Sequence, residues 1–204
     1  MAPIAPSAPP RHHCGMRAIM AFVLLLLSVT GFPLHAAEPL PPMVGASESA
    51  ARERAALFAE LAAAPNEADA REIEQKIWKF WLSFADNESR EMLEESRKAQ
   101  LRFDYDEALI YMKALVVHAP QFAEAWNQLG YVLFLAGRYD ASLVAIEQTL
   151  KLEPMHYAAL AGRGIILIQQ GKDAEAQTAL KQALAIDPWL KERRLIDGYN
   201  DKKI

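Results

Sequence analysis

The chain has 204 residues, of which 52% are hydrophobic and 24% are charged, and its formal net charge is −4. This balance is typical of a folded globular protein and excludes a disordered one, and the length suits a single domain. A net acidic chain without a run of basic residues argues against nucleic acid and anionic membrane surfaces as partners. The single cysteine, Cys14, excludes a disulfide framework.

The first 37 residues are laid out as a secretory signal. Arg11 and Arg17 precede the apolar run AIMAFVLLLLSVTGF, and small residues follow Pro33. A basic start, an apolar core and small residues are the three parts of a cleavable signal peptide. We therefore expect residues 1–37 to be removed, with Met16 as the true start, and the mature chain to be periplasmic or secreted. The alternative is an uncleaved membrane anchor, because the apolar run and its flanks reach the roughly 20 residues that span a bilayer.

A Pro-rich stretch, residues 38–48, follows the signal and is expected to be an extended tether. Beyond it the prolines become sparse and regular. Prolines and glycines recur at a spacing of 34 residues: Pro120, Pro154 and Pro188; Gly130 and Gly164; Gly137 and Gly171. A fixed period of this length is typical of a solenoid built from stacked helix pairs.

Each 34-residue unit predicts two helices joined by a short turn, as in AEAWNQLGYVLFLAG followed by RYDASLVAIEQTLKLEP. A small residue midway along the first helix would let the second helix approach closely; these residues are Ser96, Gly130 and Gly164. Gly137 and Gly171 can end the first helix in the left-handed conformation. Asp106 and Asp140 are expected to cap the second helix, which the following proline then ends.

These residues resemble the tetratricopeptide repeat family. Repeat 123–156 has Trp126, Leu129, Gly130, Gly137, Tyr139 and Pro154 in the family's positions. Repeat 157–190 has Leu160, Gly164, Gly171, Ala176, Leu180, Ala183 and Pro188. Repeat 89–122 departs from the pattern at Phe103, where a glycine is usual. The resemblance implies an all-α fold, a right-handed superhelix of antiparallel helix pairs with a terminal capping helix.

The two ends of the repeat region are less regular. Residues 49–88 are expected to form a degenerate preceding helix pair, with helices near 50–64 and 68–84. The second of these helices presents an apolar set that we expect to be core against the next repeat rather than a ligand cage: Ile73, Ile77, Trp78 and Trp81. Residues 189–204 are expected to contain a capping helix from Trp189 to Asn200 and a short tail.

The sequence predicts no catalytic residue, no metal site and no cofactor. It has neither a Gly-x-Ser-x-Gly elbow nor a phosphate-binding loop at the required spacing. His118 and His156 each lie near a helix-ending proline and are expected to be polar residues of the loops between repeats. Carboxylate pairs such as Glu94 and Glu95 are expected to solvate exposed helices. An enzyme is therefore the least favoured class.

The resemblance implies that the first helices of the repeats line a concave groove. The residues that the resemblance places in that groove are Arg90, Arg97, Asn127, Tyr131, Phe134, Ile165 and Ile168. For Phe134 and Ile168 the alternative is burial against the neighbouring repeat or the terminal helix. Family members that hold a C-terminal carboxylate use a clamp of Lys, Asn and Arg, and Ala158 and Gly162 stand where this clamp needs cations. Arg97 beside Asn127 could still hold a partner's backbone or carboxylate.

The sequence thus favours a non-catalytic interaction scaffold in the periplasm that binds a peptide or protein segment in its groove. The partner would be a protein, with no nucleic acid and, for the mature chain, no membrane. The alternative is a structural homo-oligomer whose groove is filled by the chain's own terminal helix or its N-terminal arm, Glu38 to Gly45.

Overall fold

The computed structural model describes residues 44–198, and within that range every regular element is a helix. The α-helices are α1 (Glu48–Ala62), α2 (Glu67–Leu82), α3 (Asn87–Leu101), α4 (Tyr105–His118), α5 (Ala123–Leu135), α6 (Tyr139–Leu152), α7 (Tyr157–Gln169) and α8 (Asp173–Ile186). The signal segment and the tether up to residue 43 lie outside the described residues. The all-α class is confirmed, and none of the described helices is both long and apolar enough to cross a bilayer.

Six of the helices form the stacked pairs α3–α4, α5–α6 and α7–α8, with α4 packed on α5 and α6 on α7. The close approach within the pairs depends on small residues. A Cβ atom added at Gly130 would lie 3.1 Å from Cγ1 of Ile146, and one at Gly164 would lie 2.6 Å from Cγ of Leu180. In the middle pair the Ser142 hydroxyl also donates to the Gly130 carbonyl across 2.6 Å. The small residues therefore set the spacing between helices, as the sequence predicted.

The turns between paired helices use a left-handed residue. Gly137 and Gly171 have φ angles of 71° and 70°. Phe103 occupies the same place one repeat earlier with a φ of 60°, which costs an L-residue about 1–2 kcal/mol. Its side chain is 78% exposed, so little packing within the chain offsets that cost.

The aspartates expected to cap the second helices instead join neighbouring repeats. Arg138 donates to Asp106 across 2.7 Å, and Gln170 donates to Asp140 across 2.8 Å. Both aspartates lie inside the first helical turn, and α4 is capped by Asp104. Each aspartate therefore acts between repeats rather than at its own helix terminus.

The pair α1–α2, which we name the clasp, does not continue the stack. It contacts α5 and α8 and crosses the turns that end the second and third repeats. Trp81 stacks on His156 with ring centroids 3.9 Å apart, and the Trp189 indole donates to the carbonyl of Ala64 across 3.2 Å. The expected stacking of residues 49–88 onto the next repeat is thus replaced by packing across repeat boundaries.

The apolar face of α2 is core, with one exception. Ile73, Ile77 and Trp81 are buried among residues of α1 and of the turns near Tyr157. Trp78 is 49% exposed, which corrects its assignment to the core. It lies one position beyond Ile77 and therefore points away from the buried stripe, which follows a spacing of four residues.

Buried acidic side chains precede the prolines that end the second and third repeats, and both face the clasp. Glu153 accepts two hydrogen bonds from Arg54, at 2.6 and 2.5 Å, and both side chains are buried. Asp187, 34 residues later, accepts from the Trp189 backbone N–H across 3.0 Å. Burial, together with the neighbouring Glu74 carboxylate, raises the pKa of Asp187 to about 7.

The terminal helix differs in type and length from the sequence prediction of Trp189 to Asn200. The described part is a five-residue 3-10 helix, Lys191–Leu195. Contacts with α8 and α2 hold this segment in place. Gln177 donates to the Leu195 carbonyl across 2.8 Å, and Arg193 donates to Glu67 across 2.7 Å. These contacts fix it against α8 and the clasp without a longer helix of its own.

We expect Gly164→Ala to lower the free energy of unfolding by about 1–3 kcal/mol, because the new methyl overlaps Leu180, which is fully buried. Gly162→Ala is the matched control in the same helix, where the added Cβ would meet only Ile146 at 3.5 Å. Urea unfolding followed by circular dichroism measures both. Equal stability of the two variants would contradict the close-approach argument.

Arg54→Met should destabilise the protein by about 3–5 kcal/mol, because it leaves the Glu153 carboxylate buried without its cation. Arg52→Met removes an exposed ion pair with Glu48 from the same helix and should change stability by less than about 0.5 kcal/mol. Denaturant unfolding of the two variants side by side tests whether the clasp is anchored as described.

The contribution of Asp187 to the free energy of unfolding should fall as the pH rises from about 4, where an unfolded aspartate titrates, to about 7, where Asp187 titrates in the folded protein. Over that interval the folded state holds a proton that the unfolded chain has released, so rising pH favours unfolding. Asp187→Asn should remove this slope, since its amide oxygen can still accept from Trp189. Glu74→Gln should reduce the slope only in part, because burial is the larger cause. An unchanged slope in Asp187→Asn would contradict this assignment.

Candidate functional site

A groove runs along the first helices of the repeats and contains two cavities that meet at Gln128. The first cavity has a volume of about 330 Å³ and lies between α5, α6 and α7. The second has a volume of about 300 Å³ and is lined by α3 together with residues of α2, α4 and α5. The clasp therefore forms part of the wall of the second cavity.

The structure brings most of the sequence-predicted groove residues into these cavities. Asn127, Tyr131, Phe134 and Ile165 line the first, and Arg90 and Arg97 line the second. Ile168 lines neither cavity.

Ile168 lies one turn beyond Ile165, near the end of α7. It packs against Leu167, Ala176 and Ala179, so it contributes to the contact between α7 and α8. Phe134 combines the two predicted roles, groove lining and packing within the chain. It lines the first cavity and also packs beside Tyr139, with ring centroids 5.8 Å apart.

The first cavity is an apolar recess with an aromatic rim. Ala158 and Gly162 leave the α7 side shallow, and Ile146 and Ile166 lie among the lining residues. Tyr131 is 51% exposed. A recess of this shape and lining can hold one large apolar side chain of a bound molecule.

Behind the first cavity lies a buried carboxylate, Glu124, whose side chain is 1% exposed. The amide of Asn127 donates to its two oxygens at 3.3 and 3.2 Å, and the amide of Gln128 donates at 2.6 Å. The Nε2 atom of His156 lies 2.9 Å from Oε2. These contacts hold both amide side chains in fixed orientations at the edge of the cavity.

His156 lies in the loop between two repeats, as the sequence predicted, and its side chain is buried there. Its Nδ1 caps α7 by accepting the backbone N–H of Ala159 at 3.2 Å, and its ring stacks on Trp81. Because Nδ1 accepts a hydrogen bond, the ring proton is on Nε2, and the imidazole donates to Glu124 as a neutral group.

The second cavity is mixed in character. Trp78, Leu93 and Met112 supply its apolar surface. Arg97 is bound through two hydrogen bonds, at 2.9 and 2.8 Å, to Glu94, and this contact lowers the pKa of the glutamate. The pairing of Arg97 with Asn127 that the sequence suggested is not formed, because the two residues line different cavities.

Sequence reasoning missed Trp78 and the cluster of Glu124, His156 and Trp81. For Trp78 a signal existed, because it falls beside the regular stripe of apolar residues on α2. For the cluster no local signal existed, since Glu124 and His156 meet across a repeat boundary and only the position of the clasp adds Trp81. In residues 44–198 no group of three or more His, Cys, Asp or Glu side chains is placed to hold a metal ion.

Stacked helix pairs with a groove along their first helices define the class of α-solenoids built from helix-hairpin repeats. Residues 102–148 and 136–188 match the sequence model of the tetratricopeptide repeat. Together with the 34-residue period and the close-approach glycines, this match shows that residues 102–188 are built from tetratricopeptide repeats. The resemblance and the solenoid fold predicted from the sequence are thereby confirmed.

A TPR repeat-containing protein of Rhizobium etli is 27% identical over 175 residues, which cover 85% of this chain and 86% of that protein. Among solved structures, the TPR2B domain of yeast Sti1 in complex with pHsp70 has a TM-score of 0.51 and 16% identity, covering 55% of this chain and 92% of that one. The first TPR of Spaghetti bound to the HSP90 peptide SRMEEVD gives 0.51 and 17%, covering 53% and 86%. The Yersinia enterocolitica type III secretion translocator chaperone SycD gives 0.50 and 18%, covering 54% and 84%. These likenesses concern the fold.

Proposed function

We propose that this protein is a non-catalytic interaction scaffold that binds a segment of another protein in the groove of α3, α5 and α7. The observation that carries the proposal is the pair of cavities with an aromatic side chain at each. Trp78 is 49% and Tyr131 51% exposed, although each could bury most of its ring in a packed protein. Half-exposed aromatics beside shallow apolar recesses are the usual anchors of a protein-binding surface.

The small size and open form of the cavities suit a polypeptide rather than a small molecule. Each cavity is at the lower end of the size range for small-molecule sites, about 300–1,000 Å³, and each is open along the groove. A segment with apolar anchors in both would bind as an amphipathic helix or extended strand binds a groove. The Sti1 and Spaghetti domains, which share the fold, were solved with pHsp70 and with an HSP90 peptide.

We further propose that the scaffold works outside the cytoplasm, in the periplasm or as a secreted protein. The support is the layout of residues 1–37, with basic residues before an apolar run and small residues after it. Fractionation of cells that express the full chain, with mass spectrometry of its N-terminus, tests this. Full-length protein in the cytoplasm would contradict export.

Site-specific photocrosslinking tests the groove. With p-benzoylphenylalanine in place of Tyr131, cells should yield adducts that are absent when the same group replaces Val144, which is 58% exposed on α6 and lines no described cavity. Gly162→Arg, which projects a side chain into the first cavity, should reduce the Tyr131 adducts severalfold without lowering the melting temperature.

Adducts of equal yield from both positions, or adducts insensitive to Gly162→Arg, would contradict the proposal. Mass spectrometry of the adducts also separates the homo-oligomer alternative. In that case the crosslinked peptide would belong to a second copy of this chain, and light scattering would give the mass of an oligomer.

A further inference from the structure

We propose that the segment bound in the first cavity carries a lysine or arginine next to the apolar side chain that enters the recess. The inference rests on the proposed function and specifies the chemistry of its partner. It starts from Glu124, the buried acid behind that cavity, whose charge has no cationic partner among its described contacts.

The hydrogen bonds of Glu124 require the ionised carboxylate. Asn127, Gln128 and His156 all approach its oxygens with donors, and the imidazole is fixed as a donor because its other nitrogen accepts from Ala159. A protonated carboxyl would place its hydrogen against one of these donors. Glu124 is therefore an anion solvated by neutral dipoles.

A comparison within the same molecule shows how unusual this is. Glu153 is equally buried, and the Arg54 guanidinium neutralises it. Glu124 lies in the first turn of α5, where the helix dipole stabilises negative charge, so the fold tolerates the anion. The dipole does not supply a countercharge on the groove side, and the described contacts of Glu124 include no lysine or arginine.

The side chains between Glu124 and the groove extend this negative potential outward. The amide nitrogens of Asn127 and Gln128 point inward to the carboxylate. Both residues line the cavity, and neither amide oxygen is a buried atom without a partner, so the oxygens can accept a hydrogen bond from a ligand there. The wall thus offers acceptors to a ligand.

The lining of the first cavity contains no charged side chain that would oppose a bound cation. Its residues are Asn127, Gln128, Gly130, Tyr131, Phe134, Ile146, Ala158, Gly162, Ile165 and Ile166. Arg90 and Arg97 lie in the second cavity, beyond Gln128, and Arg97 is paired with Glu94. The exposed ring of Tyr131 adds a surface on which an ammonium or guanidinium group can rest.

Charge complementarity therefore favours a basic side chain and disfavours a carboxylate at this cavity. A partner cation can donate to the two amide oxygens while an adjacent leucine or aromatic side chain fills the recess near Ile165. An acidic segment would meet acceptors and a buried anion, so the geometry does not suit a carboxylate at this position.

Three matched peptides test the inference: acetyl-Ala-Leu-Xaa-Phe-Ala-amide with lysine, norleucine or glutamate as Xaa. Norleucine keeps the aliphatic chain of lysine without its charge. Each is titrated into the ¹⁵N-labelled chain from residue 38 onward, and the side-chain amides of Asn127 and Gln128 and the backbone of Gly162 are followed by NMR. We expect the lysine peptide to bind roughly fivefold more tightly than the norleucine peptide at low salt, as for a partly exposed ion pair.

The glutamate peptide should bind most weakly, and the advantage of lysine should shrink in 0.5 M NaCl, where exposed charges are screened. Ala158→Lys places a cation at an exposed position that lines the cavity and should abolish the preference for lysine. Ala141→Lys, an equal change of charge at an exposed position on α6, should leave the preference intact.

The outcomes separate this inference from the function on which it rests. If the three peptides shift the groove signals with equal affinity, or glutamate binds best, the inference is overturned and the groove remains a binding site. If none of them shifts those signals at millimolar concentration while the spectrum shows a folded protein, both the inference and the proposed function fail. Loss of the lysine preference in Ala141→Lys would also overturn the inference, since the effect would then follow net charge.

Discussion

The contacts of His156 join the parts of this molecule that would otherwise be independent. Its ring stacks on Trp81 of the clasp, its Nδ1 caps the N-terminus of α7, and its Nε2 donates to Glu124 at the start of α5. One side chain therefore links the first helix pair, the boundary between two repeats and the wall of the groove. Because a neutral imidazole has only one donor and one acceptor, each of these contacts fixes the geometry of the others.

This arrangement explains how a groove on a repeat scaffold acquires a local chemistry. The repeats alone supply a shallow apolar surface formed by small residues on α7 and aromatic residues on α5. The buried polar cluster behind that surface orients two amides, and α2 adds Trp78 to the wall of the second cavity. The recurrent part of the sequence thus builds the scaffold, and the irregular part distinguishes one position along the groove from another.

The sequence predicts the repeats well because their signals are local. The 34-residue spacing of prolines and the glycines at close approach each follow from contacts within one helix pair, so the repeat pattern alone is enough to assign Gly130 and Gly164. Four of the groove residues fall in the first cavity for the same reason. For Ile168 the sequence left burial open as an alternative, because helical phase alone does not tell a groove-facing residue from one that packs against the following helix.

The clasp could not be predicted in this way. Its helices have ordinary lengths and an apolar stripe, which fit stacking on the next repeat as well as packing across several turns. The choice between these two arrangements depends on partners far apart in the sequence. Arg54 pairs with Glu153, 99 residues away, and Ala64 with Trp189, 125 residues away. Buried pairs of this kind depend on tertiary geometry, and no periodic signal marks them.

The long separation of these partners has a consequence for how the chain reaches its folded state. Most solenoids gain stability by adding neighbouring repeats in turn, so that folding can spread from any point along the array. Here α1 and α2 come first among the described helices, yet their docking sites include Glu153, His156 and Trp189, which lie much later in the chain. The docked position of the first helix pair therefore requires the third repeat, and these contacts couple the two ends of the described chain.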